Sequence, residues 1–310
     1  MKKVSTYNDF IVEAVQDELK QITCAVAQSN HDHRYINLEG YHVKEYFKIF
    51  TKDDDPKSVS GPVLNYCNIH TERLTKTGYD EKLIYNKYDA KMGVASKKEW
   101  HELHEDSDYV PKTVSDPKDL DQLKFPIIAK PDNRYSGLGI VKFDKLEDCE
   151  GADLTKFTVF NEKIDIKEEH RIFVWRGEPI MWVQRVAAND DTKNMTKAAD
   201  DKLKFNYVLK QKSVPESWLS VFKEFYDKHT DLDIYTMDVM VDQDDKPWIV
   251  EMSSEPGVPF GVMGLYYKKL YEDYYGKPLS KEAEAKVDEY IDLDIKETIK
   301  SDPKRFSIEE

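Results

Sequence analysis

From Phe125 to Met252 the chain is cut into short apolar runs, "FPIIAK", "IVKF", "FTVF", "HRIFVW", "PIMWVQRV", "IYTMDVMV" and "PWIVEM", with turn residues between them. Runs of this length between turn signals read as β-strands. One helix-like stretch, "PESWLSVFKEFYDKH", interrupts them, with Leu219, Phe222 and Tyr226 on its apolar face. Two more follow, "VMGLYYKKLYEDYYG" and "SKEAEAKVDEYIDLDIKETIK". In the last, Ala283, Val287, Ile291, Ile295 and Ile299 recur every four residues, as on one side of an amphipathic helix. Upstream the pattern is weaker. It predicts a helix over 9–20, a strand at "GPVLNYC", a charged loop at "KDDDPKS" and helices over 79–91 and 96–105. The last has Ser96 as N-cap and Glu99 at capping-box spacing. "VPKTVSDPKDL" reads as a strand, a turn and a short helix. The result is an α+β fold with an antiparallel-rich middle, not a doubly wound nucleotide fold.

Length and charge narrow the function. The 310 residues suffice for a large core divided into two or more lobes. A net charge of −14 argues against a phosphate-backbone partner, because non-specific nucleic-acid affinity needs clustered Lys and Arg. The three cysteines, Cys24, Cys67 and Cys149, form no CxxC and read as reduced thiols. Acidic residues break the N-terminal stretch, and no run approaches the ~20 apolar residues that span a bilayer. The expectation is a cytoplasmic protein without a membrane or nucleic-acid partner; homo-oligomerisation is left open.

In "IYTMDVMVDQDDKPWIVEM" a hairpin turning about Asp244–Asp245 places Val241 opposite Trp248, Val239 opposite Val250 and Met237 opposite Met252 on one apolar face. Asp238 then stands opposite Glu251 on the other. Like charges facing each other across strands destabilise, and a divalent cation between them removes the penalty. Oxygen-only ligands suit Mg²⁺ or Mn²⁺. A solvated acidic face on an edge hairpin is the competing reading.

Other constellations are weaker alone. "AKPDNRYSGLGI" places Lys130 at a strand end before a loop with Gly137 and Gly139, whose backbone N–H groups suit phosphate oxygens. A plain glycine hairpin fits equally. A three-residue turn at "RGE" puts Arg171 and Arg185 on one face, as a carboxylate or phosphate clamp or as ion pairs with Glu168 and Glu169. "HDH" (31–33) and "HELH" (101–104) lack full zinc spacing and read as surface residues. The tyrosines of "YYKKLYEDYY" read as packing.

Taken in order, these pieces resemble the ATP-grasp superfamily, in particular the glutathione-synthetase-like and ribosomal-protein glutamate ligase-like branches, over about residues 80–260. "YNKYDAK" is similar to the helix start that supplies a phosphate lysine, implying that role for Lys87. "PIIAKP" with "SGLGIV" is similar to the second phosphate lysine, Lys130, and a flexible glycine loop with Ser136, Gly137 and Gly139. "FTVFNEKI" resembles the interlobe hinge, implying adenine and ribose contacts at Glu162. "EHRIFVWRGEPI" followed by "QRV" resembles the Asp-x-Arg strand and a second arginine. Arg171 and Arg185 thereby take substrate or phosphate roles, and Glu169 stands where many members have Asp. "MDVMVDQDDKPWIVEMSSEPG" is similar to the metal-ligand pair, Asp238 and Glu251, with Ser253 where the family has Asn. The polar stretch after Arg185 (189–207) lacks the family's glycine pair.

The resemblance implies an ATP-grasp fold of two α+β lobes clamping ATP. It implies a small N-terminal α/β domain (1–78), a core (79–260, lid lobe about 93–160) and C-terminal helices (261–310). It implies an ATP- and Mg²⁺- (or Mn²⁺-) dependent, ADP-producing carboxylate–amine ligase acting through an acyl phosphate. The substrates would be small-molecule or peptide carboxylates and amines, such as an amino acid or peptide. A kinase of the same fold and a non-catalytic nucleotide-binding protein are the alternatives.

Overall fold

The computed structural model describes residues 18–19, 22–25, 42–51, 53–66, 71–87, 94, 96–131, 139–187, 205–254 and 261–309. Contacts group the chain into two units that interleave along the sequence: residues 1–91, 230–235 and 254–301, and residues 92–229, 236–253 and 302–310. The expected segments 1–78, 79–260 and 261–310 are contiguous, whereas these units are not, because strand β12 (Ile234–Asp242) begins in one and ends in the other.

In the first unit β1 (Ile22–Ala25), β2 (Phe47–Phe50), β3 (Val63–Asn65) and β4 (Ile84–Tyr85) form a parallel sheet in the order β2-β1-β3-β4. All four residues of β1 are buried, as expected of a parallel strand covered on both faces. The strand expected at "GPVLNYC" is β3. The loop expected at "KDDDPKS" contains a single 3₁₀ turn, Pro56–Ser58.

The helix expected over 79–91 is corrected within the described residues. Glu81–Leu83 form one 3₁₀ turn capped by the Asp80 carboxylate, and the chain then extends into β4. Asn86, buried and at φ 55°, fixes this path: its amide donates to Asp233, and its side-chain oxygen accepts from the Asp233 and Ile234 amides. Pairing with β3 and this polar lock outweigh weak helical periodicity. Most of the helix expected over 9–20 lies outside the described residues, as does "HDH".

After α1 (Thr71–Thr75), the unit's helical part is α4 (Val262–Tyr275) and α5 (Lys281–Ser301). Ala283, Val287 and Ile291 are buried on α5, Ile295 and Ile299 partly so. Gly264 lets the two helices close: a Cβ there would lie 2.5 Å from Ile291 Cγ1.

The second unit holds two sheets and the helices α2 (Lys97–Leu103) and α3 (Leu219–Lys228). Strands β5 (Thr113–Val114), β6 (Ile127–Lys130), β7 (Val141–Phe143) and β8 (Val159–Glu162) form an antiparallel sheet ordered β5-β8-β6-β7 over a core of Leu120, Ile127, Phe143, Phe157 and Phe160. The larger sheet runs β13-β12-β9-β10-β11-β14, where β9 is Ile166–Trp175, β10 Glu178–Ala187, β11 Phe205–Lys210, β13 Pro247–Ser253 and β14 Phe306–Ile308.

Two local expectations change here. On α3 the buried residues are Val221, Phe222 and Phe225, while Leu219 is 45% exposed, so the apolar face is rotated from the one expected. His101 and His104 are buried, not surface residues. His101 lies against Thr113 and Asn161, and His104 Nε2 sits 2.9 Å from His229 Nε2. Two spaced histidines in a helix do not reveal in sequence which partners will cover them. The Ser96 cap is present, its Oγ accepting from the Glu99 amide at 3.3 Å.

Candidate active site

The hairpin of β12 and β13 carries the site. Its turn is three residues, Gln243–Asp245, closed by the Asp242 amide donating to Lys246 O, with Asp245 at φ 63°. Near the turn Val241 pairs with Pro247, Met240 with Trp248 and Val239 with Ile249. That is one residue off the expected register, because an odd loop replaces the two-residue turn. A bulge then takes up Val250, and beyond it Asp238 pairs with Glu251, Met237 with Met252 and Thr236 with Ser253. The pairing of the two acids is as expected. The backing is corrected: Ile249 and Met252 are buried behind them, whereas Trp248 and Val250 are only partly buried.

Strands β9 and β10 meet at a two-residue turn, Arg176–Gly177, both at positive φ (44° and 82°), with a register shift between Pro179 and Met181. The sequence pointed to a three-residue turn; the shift compensates for the shorter one. Arg185 pairs with Glu169, and Glu169 and Arg171 are two apart on β9, so all three share a face. Arg171 grips Asp238 with both arms, Nε to Oδ1 and Nη2 to Oδ2, each 2.8 Å. Arg185 Nη1 donates to Asp238 Oδ2 at 3.1 Å and lies 2.6 Å from Glu169 Oε1.

The cluster of two buried acids and two arginines is electrically balanced, which makes its burial tolerable. Burial pushes Asp238 up, but Arg171 and Arg185 override it and hold the carboxyl below its ordinary range. Burial would lower the Arg171 guanidinium, and the adjoining Asp238 carboxylate raises it instead. Glu169, buried and close to Asp238, stays above its ordinary value despite Arg185.

Lys130 ends β6. Burial pulls its ammonium down to about 8, with Glu251 and Asp238 opposing the fall. Lys97, the first residue of α2, lies 3.9 Å from Glu251 Oε1 and is largely buried. Sequence reading did not single out Lys97; the available signal was its place directly after the Ser96 cap. Lys87 is exposed and belongs to the first unit.

Glu162 ends β8, where Oε1 accepts from the Lys124 amide at 2.8 Å. It borders a cavity of about 310 Å³ with Lys112, Lys163, Asp165, Asp242 and Trp248. Gly139 sits at φ 77°, close against Pro131. Ser136, Gly137 and residues 189–204 lie outside the described residues.

The donor set fits a hard divalent cation. A carboxylate offers about four acceptor sites. Asp238 spends three on arginine N–H groups. Glu251 is half exposed across the strand, and Ser253 is next on the same face. Oxygen donors of this kind suit Mg²⁺ or Mn²⁺.

The chain has an ATP-grasp fold, as comparison with known proteins shows. Within that class the chain belongs to the ATP-grasp domain, R2K clade family 3, which it matches over residues 46–256. No curated protein sequence matches it significantly. Among solved structures it is similar to a D-alanine–D-alanine ligase from Bacillus anthracis (TM-score 0.55, 14% identity, 87% of this chain and 99% of that one). It is also similar to an N5-carboxyaminoimidazole synthetase from Staphylococcus aureus complexed with ADP (0.52, 15%, 83% and 78%). A third is a RiPP-associated ATP-grasp ligase from Chryseobacterium gregarium in complex with ADP and a leader and core peptide (0.52, 15%, 88% and 96%). No helix among the described residues is long and apolar enough to cross a membrane.

Proposed function

We propose that the chain is an ATP-dependent ligase that joins a carboxylate to an amine through an acyl phosphate, with an amino acid or peptide among its substrates. A carboxylate oxygen attacks the γ-phosphorus and the bond to the β-phosphate oxygen breaks, releasing ADP. The amine nitrogen then attacks the acyl carbon, phosphate leaves, and the amine gives up a proton. Lys130 and Lys97 neutralise phosphate charge, with Lys87 as a further phosphate ligand. Arg171 and Arg185 face the charge that develops in transfer. Glu162 and Glu169 belong to the nucleotide side, and the loop with Ser136, Gly137 and Gly139 covers the phosphates. Asp238, Glu251 and Ser253 would hold Mg²⁺ or Mn²⁺, which when bound would supply charge neutralisation for the phosphates.

The observation that most supports this reading is the rigid hold of Asp238 on both arginines. Guanidinium groups fixed in advance act on a developing charge without reorganising. The peptide-bound ligase among the similar folds supports a peptide as one substrate class. The test is an ADP-release screen over amino acids and short peptides with product mass. Release that needs both a carboxylate and an amine, with loss of water between them, supports the ligase. A stable phosphorylated product with no amine requirement assigns a kinase. Nucleotide binding without turnover assigns a binding protein.

A further inference from the structure

The first unit holds a second cluster of ligand-type side chains, unrelated to the residues above. His42 opens a 3₁₀ turn, His42–Glu45, and both its backbone amide (3.0 Å) and its ring Nδ1 (2.8 Å) meet Asp294 Oδ1 on α5. Glu297 follows one turn on, the spacing that puts two side chains on the same helix face. One donor atom from each of His42, Asp294 and Glu297 can be chosen so that all lie within 4.8 Å of one another. The imidazole is held flat against Tyr290, with ring centroids 5.2 Å apart and an interplanar angle of 13°.

A histidine–aspartate ion pair alone leaves this arrangement incomplete. Asp294 is fully buried, and Oδ1 takes both bonds from His42. Its second oxygen, Oδ2, is buried with no hydrogen-bond partner among the described residues. The hydroxyl of buried Tyr46, close enough to feel the Asp294 charge, is in the same condition. A buried carboxylate oxygen without a donor is rare in folded proteins and calls for an explanation.

We propose that His42, Asp294 and Glu297 form a binding site for a first-row divalent transition-metal ion of the Zn²⁺ type, tying the turn at His42 to helix α5. One imidazole and two carboxylates are a mixed nitrogen–oxygen set, which favours such ions over Mg²⁺. Three protein donors leave a position for water. The partly exposed imidazole (27%) and the exposed Glu297 leave the site open to solvent ions. The ligands come from chain positions about 250 residues apart, so the ion acts as a cross-link between them.

The test is calorimetric titration of the chelator-treated full chain with Zn²⁺ in excess Mg²⁺, with X-ray absorption at the zinc edge. The expected result is one tight equivalent with one imidazole in its first shell. Affinity should fall about tenfold or more in His42→Gln and in Asp294→Asn. Glu251→Gln, at a half-exposed position in the other unit, should not change it. His42→Gln removes a partly exposed ring and is the variant to rely on if Asp294→Asn fails to fold. A rise in melting temperature with Zn²⁺ in wild type but not in His42→Gln supports the site as well. The proposal is overturned if wild type binds no Zn²⁺ at about 100 µM. It is equally overturned if both variants keep wild-type affinity, or if binding disappears with Glu251→Gln.

Discussion

Asp238→Asn and Glu251→Gln remove one charge each from facing positions on the hairpin, yet the structure predicts very different consequences. Asp238 is buried and accepts three hydrogen bonds from two arginines, so neutralising it leaves two buried guanidinium groups with Glu169 as their main counter-charge. Removing one partner of a buried pair costs about 3–5 kcal/mol. Glu251 is half exposed and 3.9 Å from Lys97, a pair worth about 0–1 kcal/mol. With a slope of about 3 kcal/mol/M in urea, Asp238→Asn should lower the midpoint by about 1–2 M and Glu251→Gln by less than about 0.3 M. All five tryptophans, Trp100, Trp175, Trp182, Trp218 and Trp248, fall in the same unit as the cluster, so intrinsic fluorescence reads that unit. Both variants should nevertheless lose Mg²⁺-dependent ADP release. Adding Arg185→Met to Asp238→Asn should recover part of the lost stability, because it removes a stranded charge. If Asp238→Asn unfolds within about 0.3 M of wild type, the arginines do not depend on this carboxylate and the reasoning fails.

Three further outcomes are expected. Lys130 has its folded-state pKa lowered to about 8, so its charge is present below that pH and lost above it. Nucleotide affinity of the free protein should therefore drop as pH rises through about 8, and Lys130→Arg should remove that drop; titration of ATP binding against pH checks it. Lys97→Met should reduce kcat/KM for ATP about thirtyfold, the loss of one charge-assisted contact of about 2 kcal/mol, while Lys97→Arg keeps most of it. His104 and His229 are held neutral by burial, with pKa values lowered to about 3 and about 4. For histidines with depressed folded values, stability is complete above about pH 6.5 and falls as pH drops toward those values. His229→Gln should cut the acid sensitivity between pH 6.5 and 4 by about half, read from urea midpoints across that range.

The strands of the second unit were legible because each apolar run is bounded by turn residues and pairs mostly with near neighbours. The Asp238–Glu251 pairing was legible for a less direct reason. Two errors, an assumed two-residue turn and an unseen bulge at Val250, cancel before the acids are reached. The arginines came out on one face through a similar cancellation between the Arg176–Gly177 turn and the shift after Pro179. Hydrophobic periodicity carries no record of such single-residue adjustments, which depend on residues such as Asp245 accepting positive φ. The sheet β2-β1-β3-β4 was largely hidden, because its strands are two to four residues long and their pairing is non-local. Lys97 was hidden because a lysine at a capped helix start looks solvated until Glu251 is placed beside it. The burial of His101 and His104 depends on Asn161 and His229, far along the chain.

The interleaving of the two units has a consequence for synthesis. The chain passes from one unit to the other after residues 91, 229, 235, 253 and 301. The first unit therefore waits for roughly 210 further residues after its opening segment has left the ribosome. At about 5–20 residues per second that is a delay of roughly 10–40 s. Until residue 262, β1, β2 and β3 have been made but neither α4 nor α5 has begun, and α5 is complete only at residue 301, so apolar strands that are buried in the finished protein stay uncovered. Nascent chains halted before residue 262 should then engage holdase chaperones, and those extended past residue 301 should release them.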